Sequence, residues 1–189
     1  MFHDAEITEM RSSILLVLLA LAPPAHADLV HGYCERGGKR LDFTDGIAFE
    51  DARDASGTVT TTIYLTAKPI DRVALAKCAE CAGKLGENTF SSPRGDRVEA
   101  QRSATAAGWM EIQHVGGELD MTTIVNLMYL AADGTLTGLD GGNCRVELQA
   151  HDAGHVAGKV VTTAREAPMN ETDMRCDIAF ELALGWPKR

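Results

Sequence analysis

The side chains best suited to chemistry in this chain are two cysteines that lie close together. Cys78 and Cys81 are separated by two residues, the spacing of the redox pair in thiol–disulfide exchange enzymes. Such a pair becomes reactive when a helix N-terminus or a nearby cation lowers the thiol pKa. Thiol–disulfide exchange is therefore an alternative function for the chain. A c-type haem would need histidine where Ala82 stands, and zinc would need two further ligands.

The chain contains five cysteines, so at least one has no cysteine partner within it. Cys144 and Cys176 each begin an alternating run on its apolar side. Either a Cys144–Cys176 disulfide joins the two runs, or the two residues are buried free thiols that act as small apolar side chains. Cys34 is expected to bond to Cys78 or Cys81. A local Cys78–Cys81 bond is the competing possibility, because spacing alone does not fix connectivity.

Two histidines flank a predicted turn at residues 152–154. If His151 and His155 faced each other across this turn, they could bind a transition metal, which gives a second alternative function. The simpler interpretation is a pair of exposed histidines on a polar turn. We therefore predict no metal or other cofactor.

One segment has the periodicity of an amphipathic helix. Apolar residues recur at three-and-four spacing over residues 70–85, which places Cys78 and Cys81 on one face, two turns into the helix. Asp71 is the expected N-cap. Because the helix dipole acts mainly in the first turn, it would activate these thiols little.

Most of the remaining chain shows the period of β-strands. Apolar residues alternate along residues 58–67, 144–150 and 174–184, and residues 144–163 read as a β-hairpin. The second face of residues 58–67 is rich in threonine and is expected to be wet. Further strands are predicted at residues 97–106, 109–115, 122–131 and 135–139. The fold class is mainly β, an antiparallel β-sandwich or partly closed barrel with one amphipathic helix at about 70–85.

The first 27 residues resemble a secretory signal. Met10 and Arg11 precede an apolar run at residues 14–22 and a small-residue ending at Ala25 and Ala27. The preceding acidic residues do not suit a signal, so Met10 is the possible true start. Residues 28–189 are then expected to form a single β-rich domain in a periplasmic or secreted protein. The cysteines would meet an oxidising compartment there.

The charge of the chain limits its partners. A formal net charge of −9 disfavours binding to nucleic acid or to anionic membrane surfaces, and no stretch after the signal is apolar and long enough to span a membrane. The sequence therefore predicts an exported binding or structural protein and no enzyme. Its partner would be a small molecule or a protein, which the sequence does not identify.

Overall fold

A computed structural model describes residues 28–36, 38–53, 59–82, 93–105, 108–115, 123–130, 136–140, 144–162 and 174–188. The strands are β1 (Leu29–Arg36), β2 (Lys39–Phe43), β3 (Asp45–Arg53), β4 (Val59–Thr66), β5 (Trp109–Val115), β6 (Thr123–Leu130), β7 (Leu136–Asp140), β8 (Cys144–Asp152), β9 (His155–Thr162) and β10 (Met174–Ala183). The α-helices are α1 (Arg72–Ala76) and α2 (Pro93–Thr105), and a 3-10 helix spans Glu80–Ala82.

The strands form two antiparallel sheets of five strands each. The first sheet has the order β2-β1-β10-β9-β8, and the second sheet has the order β3-β4-β5-β6-β7. The second sheet is a meander of consecutive strands, whereas the first joins two N-terminal strands to three C-terminal ones. The predicted antiparallel sandwich is confirmed, and the two sheets do not close into a barrel.

The inner faces of the two sheets pack against each other to form the main core. On β4 the odd-numbered residues Ile63 and Leu65 face this core, as the alternating pattern predicts. Burial of each such side chain contributes about 1.5–3 kcal/mol before entropy is counted. The buried members are Val30, Cys34, Phe43, Ala48, Ile63, Leu65, Met110, Ile112, Val156, Val160, Cys176, Ile178, Phe180 and Leu182.

The outer face of the second sheet is also dry, which contradicts the prediction of a wet threonine face. Thr62, Tyr64 and Thr66 are all buried. A second apolar cluster covers this face, to which α1 contributes Leu75 and α2 contributes Val98. The hydroxyl of Thr66 donates to the carbonyl oxygen of Lys68 at 2.7 Å, so threonine is accommodated without an unpaired polar group.

The predicted helix at residues 70–85 is much shorter in the structure. Asp71 is its N-cap, as predicted, and its carboxylate accepts from the amide of Ala74 at 2.9 Å. The helix then ends at Ala76, with Lys77 as the C-cap. The chain continues through a turn into the short 3-10 helix, so the apolar stripe does not continue on one α-helix.

The second helix, α2, replaces the strand predicted at residues 97–106. Its buried positions are Gly95, Val98 and Arg102, which are spaced three and four apart. This helical face contains a single large aliphatic side chain, so a search for apolar periodicity does not find it. Pro93 occupies the first helical position, where its missing N–H costs nothing.

The predicted hairpin is formed by β8 and β9. A register shift between Leu148 and Ala150 marks a bulge, after which Ala150 pairs with Ala157. Ala150 therefore lies on the outer face, and not beside Val146 and Leu148 as predicted. The strands predicted at residues 122–131 and 135–139 are present as β6 and β7, while the turn between them lies outside the described residues.

Candidate ligand-binding cleft

The long-range disulfide joins Cys34 to Cys176. These residues are directly opposite each other on β1 and β10, and both are buried on the inner face. The predicted Cys144–Cys176 bond is wrong, because β9 separates β8 from β10 in the first sheet. The predicted bond from Cys34 to Cys78 or Cys81 is also wrong, because Cys34 bonds to Cys176.

The second disulfide is the local bond between Cys78 and Cys81. Cys81 is almost fully buried, whereas Cys78 is partly exposed. The guanidinium of Arg94 donates to the carbonyl oxygen of Cys81 at 2.9 Å and fixes this segment to the start of α2. The pair follows the carbonyl end of α1, where the helix dipole disfavours a thiolate. The expectation that both sulfurs lie on one α-helical face is wrong, because α1 ends at Ala76, before Cys78.

The two histidines of the hairpin lie on opposite faces of the first sheet. His151 pairs with the core residue Val156, and its Nε2 lies 2.9 Å from the hydroxyl of Thr61. His155 lies on the outer face, with its Nε2 3.3 Å from the Glu181 carboxylate. The imidazoles therefore do not face each other across the turn, which the alternative metal site requires. Within the described residues, no group of three potential metal ligands is present.

A cleft of about 260 Å³ lies between the two helices and the end of β4. The chain positions its walls through a reciprocal pair of hydrogen bonds. The amide of Asp71 donates to Gln101 Oε1 at 3.2 Å, and Gln101 Nε2 donates to the carbonyl oxygen of Asp71 at 3.0 Å. The N-terminus of α1 is thereby held beside α2. The lining residues are Thr66, Lys68, Pro69, Ile70, Asp71, Ala74, Val98, Gln101, Arg102 and Ala104.

Helix α1 is held to the second sheet by a charged anchor. Asp45 accepts hydrogen bonds from both terminal nitrogens of Arg72, at 2.9 and 2.8 Å, and from the amide of Ile70 at 2.7 Å. Burial acts to raise the pKa of Asp45, but the hydrogen bonds from Arg72 and Ile70 outweigh burial and hold the pKa below its ordinary value. Arg72 also bridges to Asp28 at 2.9 Å, which ties in the start of the first strand.

Arg102 is the most unusual side chain of the cleft wall. It is only 3% exposed, and its guanidinium lies 4.2 Å from the ring centroid of Tyr64 and 4.1 Å from that of Trp109. Burial lowers its pKa to about 10, although the nearby Glu99 carboxylate, 3.6 Å away, acts in the other direction. The group therefore remains a cation at neutral pH, in a place where water is largely excluded.

The two aromatic residues differ in how their polar atoms are satisfied. The hydroxyl of Tyr64 donates to Glu111 at 3.1 Å, and burial together with the Glu111 charge raises the pKa of Tyr64. The indole Nε1 of Trp109 is buried, and no described residue offers it an acceptor within hydrogen-bonding distance. A buried donor of this kind is rare in folded proteins.

The sequence-based search did not find these residues. Tyr64 and Trp109 look like ordinary strand residues, and Arg102 lies in a segment read as a strand. The signal that was present is the four-residue spacing of Val98 and Arg102, which is too short to predict a helix. No protein-family model, curated protein or solved structure matches this chain.

Proposed function

We propose that this protein is an exported binding protein without catalytic activity, and that its ligand occupies the cleft between α1, α2 and the end of β4. The observation that carries this proposal is the cleft itself, a concave space of about 260 Å³ lined by apolar side chains and a few polar ones. Concave sites with a few placed polar groups are the usual form of small-molecule sites.

Export is supported by the signal-like pattern at residues 10–27 and is compatible with the two disulfides. The test is expression of the full chain from Met10 in a Gram-negative host, followed by fractionation. We expect the protein in the periplasm or the medium, beginning near Asp28 by intact mass. Recovery of an unprocessed cytoplasmic chain would contradict export.

The cleft is tested with a pair of matched variants on α2. Ala104 lines the cleft, whereas Ala100 is exposed on the same helix and does not line it. A fragment library is screened by NMR, with the backbone amides of Gln101 and Ala104 as reporters. We expect hits that shift these amides to be lost in Ala104→Phe and kept in Ala100→Phe. If the fragments bind equally well to both variants, their binding site lies outside the cleft.

Thiol–disulfide exchange at Cys78 and Cys81 is a second candidate. It is favoured by one observation, namely that the bonded pair has a partly exposed first cysteine and a buried second one. A substrate thiolate would attack Cys78 Sγ and release the Cys81 thiolate. A second substrate thiolate would then attack the substrate sulfur of this mixed disulfide and release Cys78. The substrate leaves oxidised and the protein is reduced.

The exchange reaction is tested by incubating the oxidised protein with a dithiol peptide. If the pair is active, peptide oxidation proceeds with loss of the Cys78–Cys81 bond and fails in Cys78→Ser. The Cys34–Cys176 bond serves as the control and should stay intact. If the Cys78–Cys81 bond stays intact throughout the incubation, thiol–disulfide exchange is excluded as the function of this pair.

A further inference from the structure

The two helices that form the cleft walls are joined at both of their ends. At the cleft end, Asp71 and Gln101 exchange two hydrogen bonds, here called the brace. At the opposite end, residues 77–82, here called the disulfide segment, follow α1 and contact α2. The disulfide segment contains the Cys78–Cys81 bond, so this bond lies between the two helices that shape the cleft.

Hydrogen bonds tie the disulfide segment to both helices. The amide of Cys78 donates to the carbonyl oxygen of Leu75 in α1 at 3.0 Å. On the other side, Arg94 in α2 donates from Nε to the carbonyl oxygen of Cys81 at 2.9 Å. Arg94 also donates from Nη1 to the carbonyl oxygen of Glu50 on β3 at 2.6 Å. A change in the disulfide segment would therefore reach the start of α2 through Arg94.

The bond is placed so that a thiolate can open it from one side. Cys78 is partly exposed, whereas Cys81 is almost fully buried, so a thiolate meets Cys78 first and Cys81 is the leaving sulfur. Cys81 Sγ lies 3.5 Å from the carbonyl oxygen of Pro93, so the protonated thiol has an acceptor at the first residue of α2. Cys34 and Cys176 are both buried, which protects the other disulfide.

We propose that the Cys78–Cys81 bond is a redox switch that controls the cleft and is opened by a dithiol. One thiolate of the dithiol attacks Cys78 Sγ, and the Cys81 thiolate leaves and takes a proton. The second thiolate attacks the dithiol sulfur of the mixed disulfide and releases Cys78, which takes the other proton. The dithiol is oxidised to its disulfide and the protein is reduced. This inference rests on the proposed binding function, because it concerns regulation of the same site.

Reduction should loosen α2 more than α1. The pair of Arg72 and Asp45 holds α1 on the second sheet through contacts that do not include the disulfide segment. A disulfide restricts the conformations of the residues that it encloses, so its loss gives the disulfide segment more freedom. Arg94 then loses a fixed acceptor, and we expect the start of α2 to loosen and the brace to open more often.

The test is amide hydrogen exchange measured by NMR, with and without dithiothreitol, a small dithiol. The amide of Asp71 donates to Gln101 and reports the brace. We expect reduction to speed its exchange by roughly threefold or more and to shift the Ala104 amide in the cleft wall. The amide of Ile63, within the core strand β4, serves as the control and should keep its rate.

Two further signals verify which bond has opened. The indole of Trp186 donates to the carbonyl oxygen of Leu75, the same atom that accepts from Cys78, and its NMR signal should move on reduction. Alkylation followed by peptide mass spectrometry should show Cys78 and Cys81 newly modified, while the Cys34–Cys176 bond stays intact.

Variants separate the bond from its connection to α2. The double variant Cys78→Ser with Cys81→Ser should exchange like the reduced protein and ignore dithiothreitol. Arg94→Met keeps the bond but removes the connection, so the Asp71 amide should exchange faster before reduction and respond less to it. Arg97→Gln is the matched control on α2, because its pair with Glu80 is exposed, and it should leave the response unchanged.

The outcomes distinguish the switch from the binding function. If mass spectrometry shows the Cys78–Cys81 bond reduced while Asp71 exchange and the Ala104 shift stay the same, the switch is refuted. Reduction of the Cys34–Cys176 bond first would also contradict it. If the double serine variant does not fold, the dithiothreitol experiments on wild type and Arg94→Met still decide. The fragment screen uses oxidised protein and the exchange test needs no ligand, so each proposal fails by its own measurement.

Discussion

Replacing Asp45 by asparagine removes the charge that holds α1 against the second sheet. In the native protein the carboxylate takes both terminal nitrogens of Arg72, and the amides of Gly46 and Ile70, at 2.7–2.9 Å. Asparagine offers one acceptor oxygen in place of two. Its NH₂ group would lie against N–H groups that donate to the carboxylate in the native protein. The variant therefore leaves Arg72 without its main counter-charge and one of the two amides, that of Gly46 or that of Ile70, without its acceptor.

The size of the effect follows from the burial of the pair. Breaking a fully buried ion pair costs about 3–5 kcal/mol. Here the Asp45 side chain is 15% exposed and that of Arg72 is 34% exposed, so solvent screens part of the interaction. We expect a loss of about 2–3 kcal/mol in the free energy of unfolding. For a domain of this size that corresponds to a fall of roughly 4–12 °C in Tm.

The assay is urea denaturation followed by circular dichroism at several pH values. Because the folded-state pKa of Asp45 lies below its ordinary value of 3.8, its stabilisation is fully present above that value. It is lost as the pH falls through the folded-state pKa. The stability difference between wild type and Asp45→Asn should therefore be constant from about pH 5 to 7 and shrink below about pH 4.

A matched control comes from a neighbouring exposed pair. Asp42 accepts from Arg40 at 2.8 Å, but the two side chains are 60% and 53% exposed. Asp42→Asn should change stability by no more than about 0.5 kcal/mol. If the two variants lose the same small amount, or if the effect of Asp45→Asn grows on acidification, the charged-anchor reasoning is refuted.

Three other predictions concern the backbone and the cysteines. Gly32 has φ +132°, and an added Cβ would lie 2.1 Å from the carbonyl oxygen of Asp177, so Gly32→Ala should cost about 3 kcal/mol or more by urea denaturation. Gly154→Ala, where the nearest atom is 4.0 Å away, should stay within about 1 kcal/mol. Removing the Cys34–Cys176 bond by a double serine variant should cost about 4–5 kcal/mol in the chain-entropy model, because the bond spans 142 residues. Thiol titration of the denatured, unreduced protein should find one thiol per chain, that of Cys144.

Local pattern was sufficient to predict most of the strands, although residues 97–106 were assigned to a strand and lie in α2. Alternation along residues 58–67 and 174–184 depends on side chains that point to opposite faces, a property of each strand by itself. The N-cap at Asp71 was predictable for the same reason, because the cap bond closes within three residues. The sandwich class followed from the number and spacing of such strands.

The cleft was not predictable in this way. Arg102 becomes buried because α2 lies across Tyr64 and Trp109, residues on two different strands. Its own segment has too few apolar positions to predict a helix. Threonines on β4 look like a wet face until helices cover them, so the second dry face of this sheet could not be read from β4 itself.

By itself, the sequence determined the period of the strands, the odd number of cysteines and the acidic charge. The tertiary structure decided which cysteines bond, because Cys34 meets Cys176 through the adjacency of β1 and β10. It also decided that His151 and His155 separate and that Arg102 joins the cleft. The physical reason is that alternation is a property of neighbouring residues, whereas strand order and helix placement depend on how distant apolar faces exclude water together.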